Sequence, residues 1–221
     1  MSLFARLVVY QDNVFRSAAL NMAIDEALLE TAIEPAIRFY RWNSPALSFG
    51  YFGRFASVAS HRSERDVVRR WTGGGIVLHG QDLTYSIVVP ANSAAAASSS
   101  AAIYDRVHRG LRDALRTDGH RAELADTNAP VISSACFTSP VRADVLLHGQ
   151  KIAGAAQRRT RRGLLQQGSI QNVAITNGLA DRFASALCDS TVAAELSVAL
   201  LERAAEIAAR KYASADWLQR R

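Results

Sequence analysis

The chain has 221 residues, 49% hydrophobic and 21% charged, with 26 Lys+Arg against 20 Asp+Glu and a net charge of +6. That length can bury one sizeable core, and no apolar run approaches the ~20 residues needed to span a bilayer. Two cysteines make no disulfide framework, and scattered basic residues without a helix-turn-helix, zinc finger or aromatic-interleaved stripe argue against nucleic acid as the partner.

The opening residues MSLFARLVVYQDN are too weakly apolar for a signal peptide, so a reducing cytoplasm with free thiols is expected. A strand is expected at Leu7–Tyr10, then a helix across Ser17–Ala32. In it Ala18, Met22, Ala23, Leu28 and Leu29 share a face, Asp25, Glu26 and Glu30 stay polar, and Pro35 ends the run. Apolar and basic residues alternate through Ile37–Trp42, which reads as a strand, and another follows at Ala46–Tyr51 after Ser44-Pro45. Val67–Trp71 is a short strand running into Thr72-Gly73-Gly74-Gly75, and Ile76–Leu78 and Leu83–Val89 flank a turn at His79–Asp82. The low-complexity stretch ANSAAAASSSAA at 91–102 is either a mobile surface segment or the lead-in to a helix at Ile103–Thr117.

Ala143–His148, Lys151–Arg158 and Leu164–Ile170 read as an antiparallel meander, and helices at Leu179–Cys188 and Val192–Tyr212 close the chain. Strands grouped together with helices outside them predict an α+β fold, a mixed and largely antiparallel sheet with packed helices. One domain over 1–221 is expected, with no C-terminal accessory domain.

Of the 26 basic residues only Lys151 and Lys211 are lysines. Where a positive charge alone is needed this chain uses Arg, so a retained Lys is a candidate compact, titratable charge. Lys211, in the Ala-rich stretch AARKYA, reads as a solvated helix face. Lys151 stands in Gly149-Gln150-Lys151-Ile152-Ala153-Gly154-Ala155-Ala156, where small residues leave room for a ligand beside the ammonium; an exposed hairpin lysine is the plainer alternative. The three glycines of Arg69-Arg70-Trp71-Thr72-Gly73-Gly74-Gly75 can form a nest of N–H groups for an anion or carbonyl oxygen, with Arg70 as a forked donor, or simply a tight turn. Neither a Walker loop nor a dinucleotide fingerprint fits their spacing. Cys136, fifteen residues before Lys151, is either a small buried hydrophobe or, if it faces the lysine, a thiolate nucleophile; Cys188 lies in a helical apolar pattern and reads as core.

Together the strings carry a resemblance. RRWTGGGIVLHG resembles the RRxxGGGxVxH signature of lipoate–protein ligases. KIAGAAQRR followed by GLLQQGSI is similar to that family's lysine-centred segment, and NMAIDEALLE resembles its N-terminal helix. Over about residues 8–175 the chain resembles the biotin/lipoate A/B protein ligase family. This implies a class-II synthetase-like, biotin-protein-ligase-like α+β fold that binds an octanoyl or lipoyl group. Carried over by position, Arg70, Gly73, Gly74, Gly75, Ile76, Val77, Leu78, His79, Gly154 and Ala155 would line the acyl or acyl-adenylate site. Lys151 would contact the activated carbonyl.

The family has two branches. Octanoyltransferases take the acyl group from acyl carrier protein, some through a cysteine thioester as Ala135-Cys136-Phe137 suggests, and need no cofactor. Lipoate–protein ligases use ATP and Mg²⁺. Either would deliver the group to a lysine of a lipoyl domain or a glycine-cleavage H-type protein, with Cys136 and Lys151 catalytic in the transferase and no metal bound by the chain's own residues. The family's His-Asp pair is here His79-Gly80-Gln81-Asp82, with Asp82 available to substitute. Gly75 stands where cysteine-type transferases often carry Arg, and Ala155 where a serine is common. A non-catalytic acyl- or carrier-binding relative is the third reading; a biotin ligase is disfavoured because no GRGRxGR string occurs. Arg158, Arg159, Arg161 and Arg162 either steer an acidic acyl carrier protein or lipoyl domain toward the site or form a solvated hairpin tip.

Overall fold

A computed structural model of the chain describes residues 2–127 and 139–220, so Cys136 lies outside the described residues. In chain order the elements are β1 (Phe4–Gln11), α1 (Ala18–Thr31), β2 (Ala36–Tyr40), β3 (Ala46–Phe49), β4 (Asp66–Arg69), β5 (Ile76–His79), β6 (Leu83–Pro90), α2 (Ser100–Thr117), β7 (Ala122–Leu124), β8 (Val145–Leu147), β9 (Gln150–Thr160), β10 (Gly163–Ile170), α3 (Leu179–Leu187), β11 (Cys188–Ala194), α4 (Val198–Ile207) and α5 (Ala215–Leu218). Serine punctuates the helices. Ser17, Ser99, Ser197 and Ser214 each accept from the backbone N–H three residues on, satisfying a donor that the first helical turn cannot.

The strands form an eight-stranded sheet in the order β11-β1-β2-β6-β10-β9-β8-β7 and a three-stranded sheet in the order β4-β3-β5. β1 pairs parallel with β11 and β2, and from β2 to β7 the large sheet is antiparallel. Alternate residues of each central strand enter different cores. Leu7, Val9, Ile37, Phe39, Tyr85, Ile87 and Leu164 pack against α2 and α3; Tyr40, Val88 and Leu165 pack against α1 and α4. The small sheet has its own cluster, Leu47, Phe49, Val58 and Leu218. The α+β architecture follows the expectation, with both faces of the large sheet covered.

Several local expectations are corrected. The alanine-rich stretch 91–102 resolves as the lead-in, a 3₁₀ turn at Ala94–Ala97 followed by the Ser99 cap of α2. The closing helix expected across Val192–Tyr212 starts only at Val198 and runs through a π turn to Tyr212; before it the chain forms β11, paired from Phe4↔Cys188 to Tyr10↔Ala194. Asp189-Ser190-Thr191-Val192 are weak helix formers, and an edge strand with mostly exposed side chains shows no apolar alternation. Cys188 is buried as expected, but it opens this strand rather than sitting within the helix. Asp25 and Glu26 are not on a solvated face: α1 is enclosed between sheet and α4, and both are buried.

Candidate active site

The cleft between the α1 side of the large sheet and the small sheet has an empty volume of about 440 Å³, open solvent at its mouth included. Met22, Tyr40 and Trp42 line one side, Gly168 and the small residues Gly154–Ala156 another, and Val77 a third. The polar lining residues are engaged with one another. Arg70 donates from Nη1 to Ser48 Oγ at 2.7 Å and from Nη2 to the Gly73 and Gly75 carbonyls at 3.0 and 2.8 Å. Ser48 Oγ lies 2.7 Å from His79 Nε2, and His79 Nδ1 lies 2.8 Å from Asp82 Oδ2. An ionised carboxylate only accepts, so Nδ1 carries the imidazole proton and Nε2 accepts from the Ser48 hydroxyl. The His79 ring stacks on Trp42 with centroids 4.0 Å apart.

Asp82 is the hub of this wall. Its Oδ2 also accepts from Thr84 and Ser169 at 2.8 and 2.7 Å, and its Oδ1 from the Gly80 N–H at 2.9 Å. Burial alone would raise this carboxyl, but those donors, His79 foremost, bring it down to about 2. Burial in turn pulls the His79 imidazole below its ordinary value against the attraction of Asp82, so the ring is neutral near pH 7. Gln167 is held similarly, donating to Asp25 at 2.7 Å and accepting from Thr72 at 2.8 Å. With its polar atoms satisfied internally, the cleft offers a largely apolar lining.

Lys151 adds a charge to this lining. On β9 its side chain is 4% exposed, and Nζ lies 2.8 Å from Asp144 Oδ2. Asp144 also accepts from the Tyr104 hydroxyl and the Val141 N–H, and the Tyr104 oxygen accepts from the Ala155 N–H at 3.1 Å. Pairing skips a residue here, Val145↔Ala153 and Leu146↔Lys151, which leaves Ile152 without a partner on β8 and re-aims the lysine. The ammonium folds back over Gly154, where a Cβ would stand 2.5 Å from Lys151 Cε. A lysine held between a carboxylate and an apolar cleft can hold a carbonyl oxygen or an anion.

The structure therefore brings Arg70, Val77, His79, Lys151, Gly154 and Ala155 to one cleft. Gly73, Gly74 and Gly75 lie behind Arg70, whose guanidinium holds two of their carbonyls, and Gly74 takes φ 84° at the turn. Ile76 packs toward the small-sheet core, and Leu78 is 47% exposed; neither lines the cleft. Ser48, Tyr104, Asp144 and Gln167 escaped sequence reasoning, because each acts through partners at least 22 residues away in the chain, as in Arg70–Ser48 and Thr72–Gln167, or lies in a segment with no motif, as Asp144 does. Lys211 is corrected: rather than a solvated face it pairs with buried Glu26 at 2.6 Å and lies over Trp71 and Trp217. Of the expected steering arginines, Arg159 ties down the Ala96 and Ser98 carbonyls and Arg162 reaches Glu30 at 3.6 Å.

A family model described as the lipoyl protein ligase A/B catalytic domain matches residues 17–191. An octanoyltransferase LipM of Oceanobacillus iheyensis is 39% identical over 170 residues, 73% of this chain and 62% of that protein. That of Bacillus subtilis is 39% identical over 174 residues, 70% of this chain and 61% of the relative. The chain thus spans less than two thirds of the length of these relatives. A putative lipoate protein ligase from T. acidophilum, with bound lipoic acid, superposes with a TM-score of 0.76 at 18% identity, over 98% of this chain and 99% of that one. A lipoate-protein ligase A bound with ATP gives 0.75 at 18%, over 98% of each. At that identity the likeness is one of fold.

Proposed function

Because the chain belongs to the lipoyl protein ligase A/B catalytic-domain family, we propose that it transfers an octanoyl group from an acyl carrier thioester to a lipoyl-domain lysine. One observation carries this reading. The cleft has an apolar lining of satisfied polar groups and a single wall where an ammonium, Lys151, is held by Asp144. An acyl tail suits the first, and the carbonyl of a thioester the second. LipM relatives named as octanoyltransferases support the same choice.

In the proposed route the Cys136 thiolate attacks the thioester carbonyl, and the carrier thiolate leaves and takes up a proton. The acceptor amine, uncharged, then attacks the acyl-enzyme; the Cys136 thiolate leaves, and the amine proton passes to solvent. Lys151 would stabilise the oxyanion of both steps. Acid–base work does not fall to His79, whose two nitrogens are already engaged by Ser48 and Asp82.

The ligase reading would need ATP and Mg²⁺. Asp82, the carboxylate nearest the family's His-Asp position, already accepts four hydrogen bonds, which makes it a poor magnesium ligand. The test is intact-mass analysis after incubation with octanoyl-acyl carrier protein, or separately with octanoate and ATP. A covalent octanoyl adduct that disappears in Cys136→Ser is the expected result. ATP-dependent transfer to a lipoyl domain without any adduct would overturn it in favour of the ligase.

A further inference from the structure

Beside the glycine turn, three cations and three aromatic rings alternate in a closed circuit. Arg158 lies over Tyr51 and Trp71, both at 4.7 Å. Lys211 lies over Trp71 at 4.3 Å and Trp217 at 4.4 Å. Arg220 lies over Trp217 at 5.6 Å and Tyr51 at 4.8 Å, which closes the ring. Each contact falls within the ~6 Å over which a ring quadrupole attracts a cation. Among the described residues only Lys211 of the three has a carboxylate partner, Glu26. Arg158 Nε is buried and lacks a hydrogen-bond partner among the described residues. Next to the circuit Phe52 packs edge-on to Tyr51 at 5.0 Å and is 86% exposed.

The circuit is continuous with the cleft. Arg158 stands on β9 at the same two-residue period as the lining residues Gly154 and Ala156, about 13 Å along the strand from Gly154. Trp71 immediately precedes Thr72, which bonds the lining residue Gln167. Clustered like charges repel, and the carboxylates near Lys211, Glu26 and the more distant Glu30, do not offset three cations in a chain of net charge +6. An apolar side chain beside such a cluster is the anatomy of a protein interface, an aromatic anchor with charged surroundings.

We propose that this circuit, with Phe52 as its apolar anchor, is the docking surface for an acidic face of the carrier protein whose lysine enters the cleft. The inference rests on the acyl-transfer reading given above. Nucleic acid fits less well, because each ring already carries two cations and base stacking needs an open aromatic face. The proposal also relocates the expected steering charge. Of the hairpin arginines it retains Arg158 and replaces the others with Arg220 and Lys211.

Trp71 and Trp217 lie in the circuit, so docking is readable in their emission. Titrating the protein with an isolated acidic lipoyl domain at ~50 mM NaCl should give a saturable change that weakens at least about tenfold by ~300 mM. Phe52→Ala combined with Arg220→Ala, confirmed as folded by its melting curve, should raise Kd and the KM for the domain about tenfold. The same variant should leave kcat and self-acylation from octanoyl-pantetheine unchanged. Wild-type transfer with no emission change, or a double variant that transfers to the domain as well as wild type, would overturn the docking surface and leave the acyl-transfer reading standing. Salt-sensitive binding without any transfer would sink that reading and keep the surface. An oligonucleotide that displaces the domain from the circuit would overturn the protein assignment.

Discussion

An ammonium folded back over a strand needs a gap beneath it, and at Gly154 a Cβ would fall 2.5 Å from Lys151 Cε and 2.8 Å from Nζ. Gly154→Ala should therefore displace Lys151 while β9 keeps its ladder. Transfer should fall about 10²-fold, the scale of an ångström-sized misplacement, and strain on the buried pair with Asp144 should lower the melting temperature as well. Asp144→Asn makes a different expectation: it leaves the ammonium buried beside a neutral amide, and loss of one member of a buried pair costs about 3–5 kcal/mol, measurable by urea unfolding. Asp82 adds a pH dependence. Its carboxyl is lowered from 3.8 to about 2, so the unfolded state takes up the proton first as pH falls. The contribution, about 2 kcal/mol, is whole above pH ~4 and lost toward pH ~2. Urea midpoints followed across that window should fall more steeply in wild type than in Asp82→Asn. The two lysines show what sequence could reveal at this scale. Scarcity marked both as candidates and motif context singled out Lys151, but Asp144 and Tyr104 carry no signature of their own. Lys211 was misread because Glu26, 185 residues away, is invisible to a local helical pattern.

Elements with strong local periodicity and clear caps were legible: α1, the strand of Leu83–Pro90 and the β9–β10 hairpin all fall within a few residues of expectation. What escaped was decided by tertiary partners. β11 exists because β1 offers it an edge, and the C-terminal segment is fixed by one buried side chain. Arg69 donates to the carbonyls of Tyr51, Gly53, Trp217, Leu218 and Arg220 at 2.7–3.3 Å, while Trp217 Nε1 donates back to Arg69 O. A lysine has three donors in place of Arg69's five and no planar fork. Arg69→Lys should then strand buried carbonyls at about 1–3 kcal/mol each. The C-terminal residues from Ser214 onward should become the first site of limited proteolysis, while the β9–β10 hairpin stays protected.

Across the whole molecule, buried polar groups tie the large sheet to the helices on both of its faces. On one face Arg38 joins Asp12 at 2.7 Å and Asp25 at 3.0 Å, with Asn21 and Tyr40 completing the set. On the other, His108 of α2 lies 2.7 Å from the Ala143 carbonyl and 2.9 Å from the Tyr85 hydroxyl. A carbonyl only accepts, so His108 Nδ1 bears the proton and the ring is neutral. Burial lowers its pKa from 6.5 to about 4. The unfolded chain therefore binds the proton first as pH drops below ~6.5, and about 3 kcal/mol of global stability should be lost by pH ~4. Replacing His108 with Gln should flatten the stability profile between those values; an unchanged slope would show that other groups produce it. The overall sheet order was not readable from the sequence, since parallel pairing of β1 with both β2 and β11 depends on contacts between distant segments.

Arg69 and Arg70 are consecutive, yet one faces the C-terminal segment and the other the glycine turn and cleft. Strand alternation keeps them back to back, so both fastenings depend on residue count as well as residue type. Inserting or deleting one residue between Asp66 and Arg69 would turn the pair over, presenting each guanidinium to the other's carbonyls. This stretch should tolerate many substitutions and almost no change of length, and a library of single-codon insertions should be depleted there more sharply than at the Thr160–Gly163 hairpin.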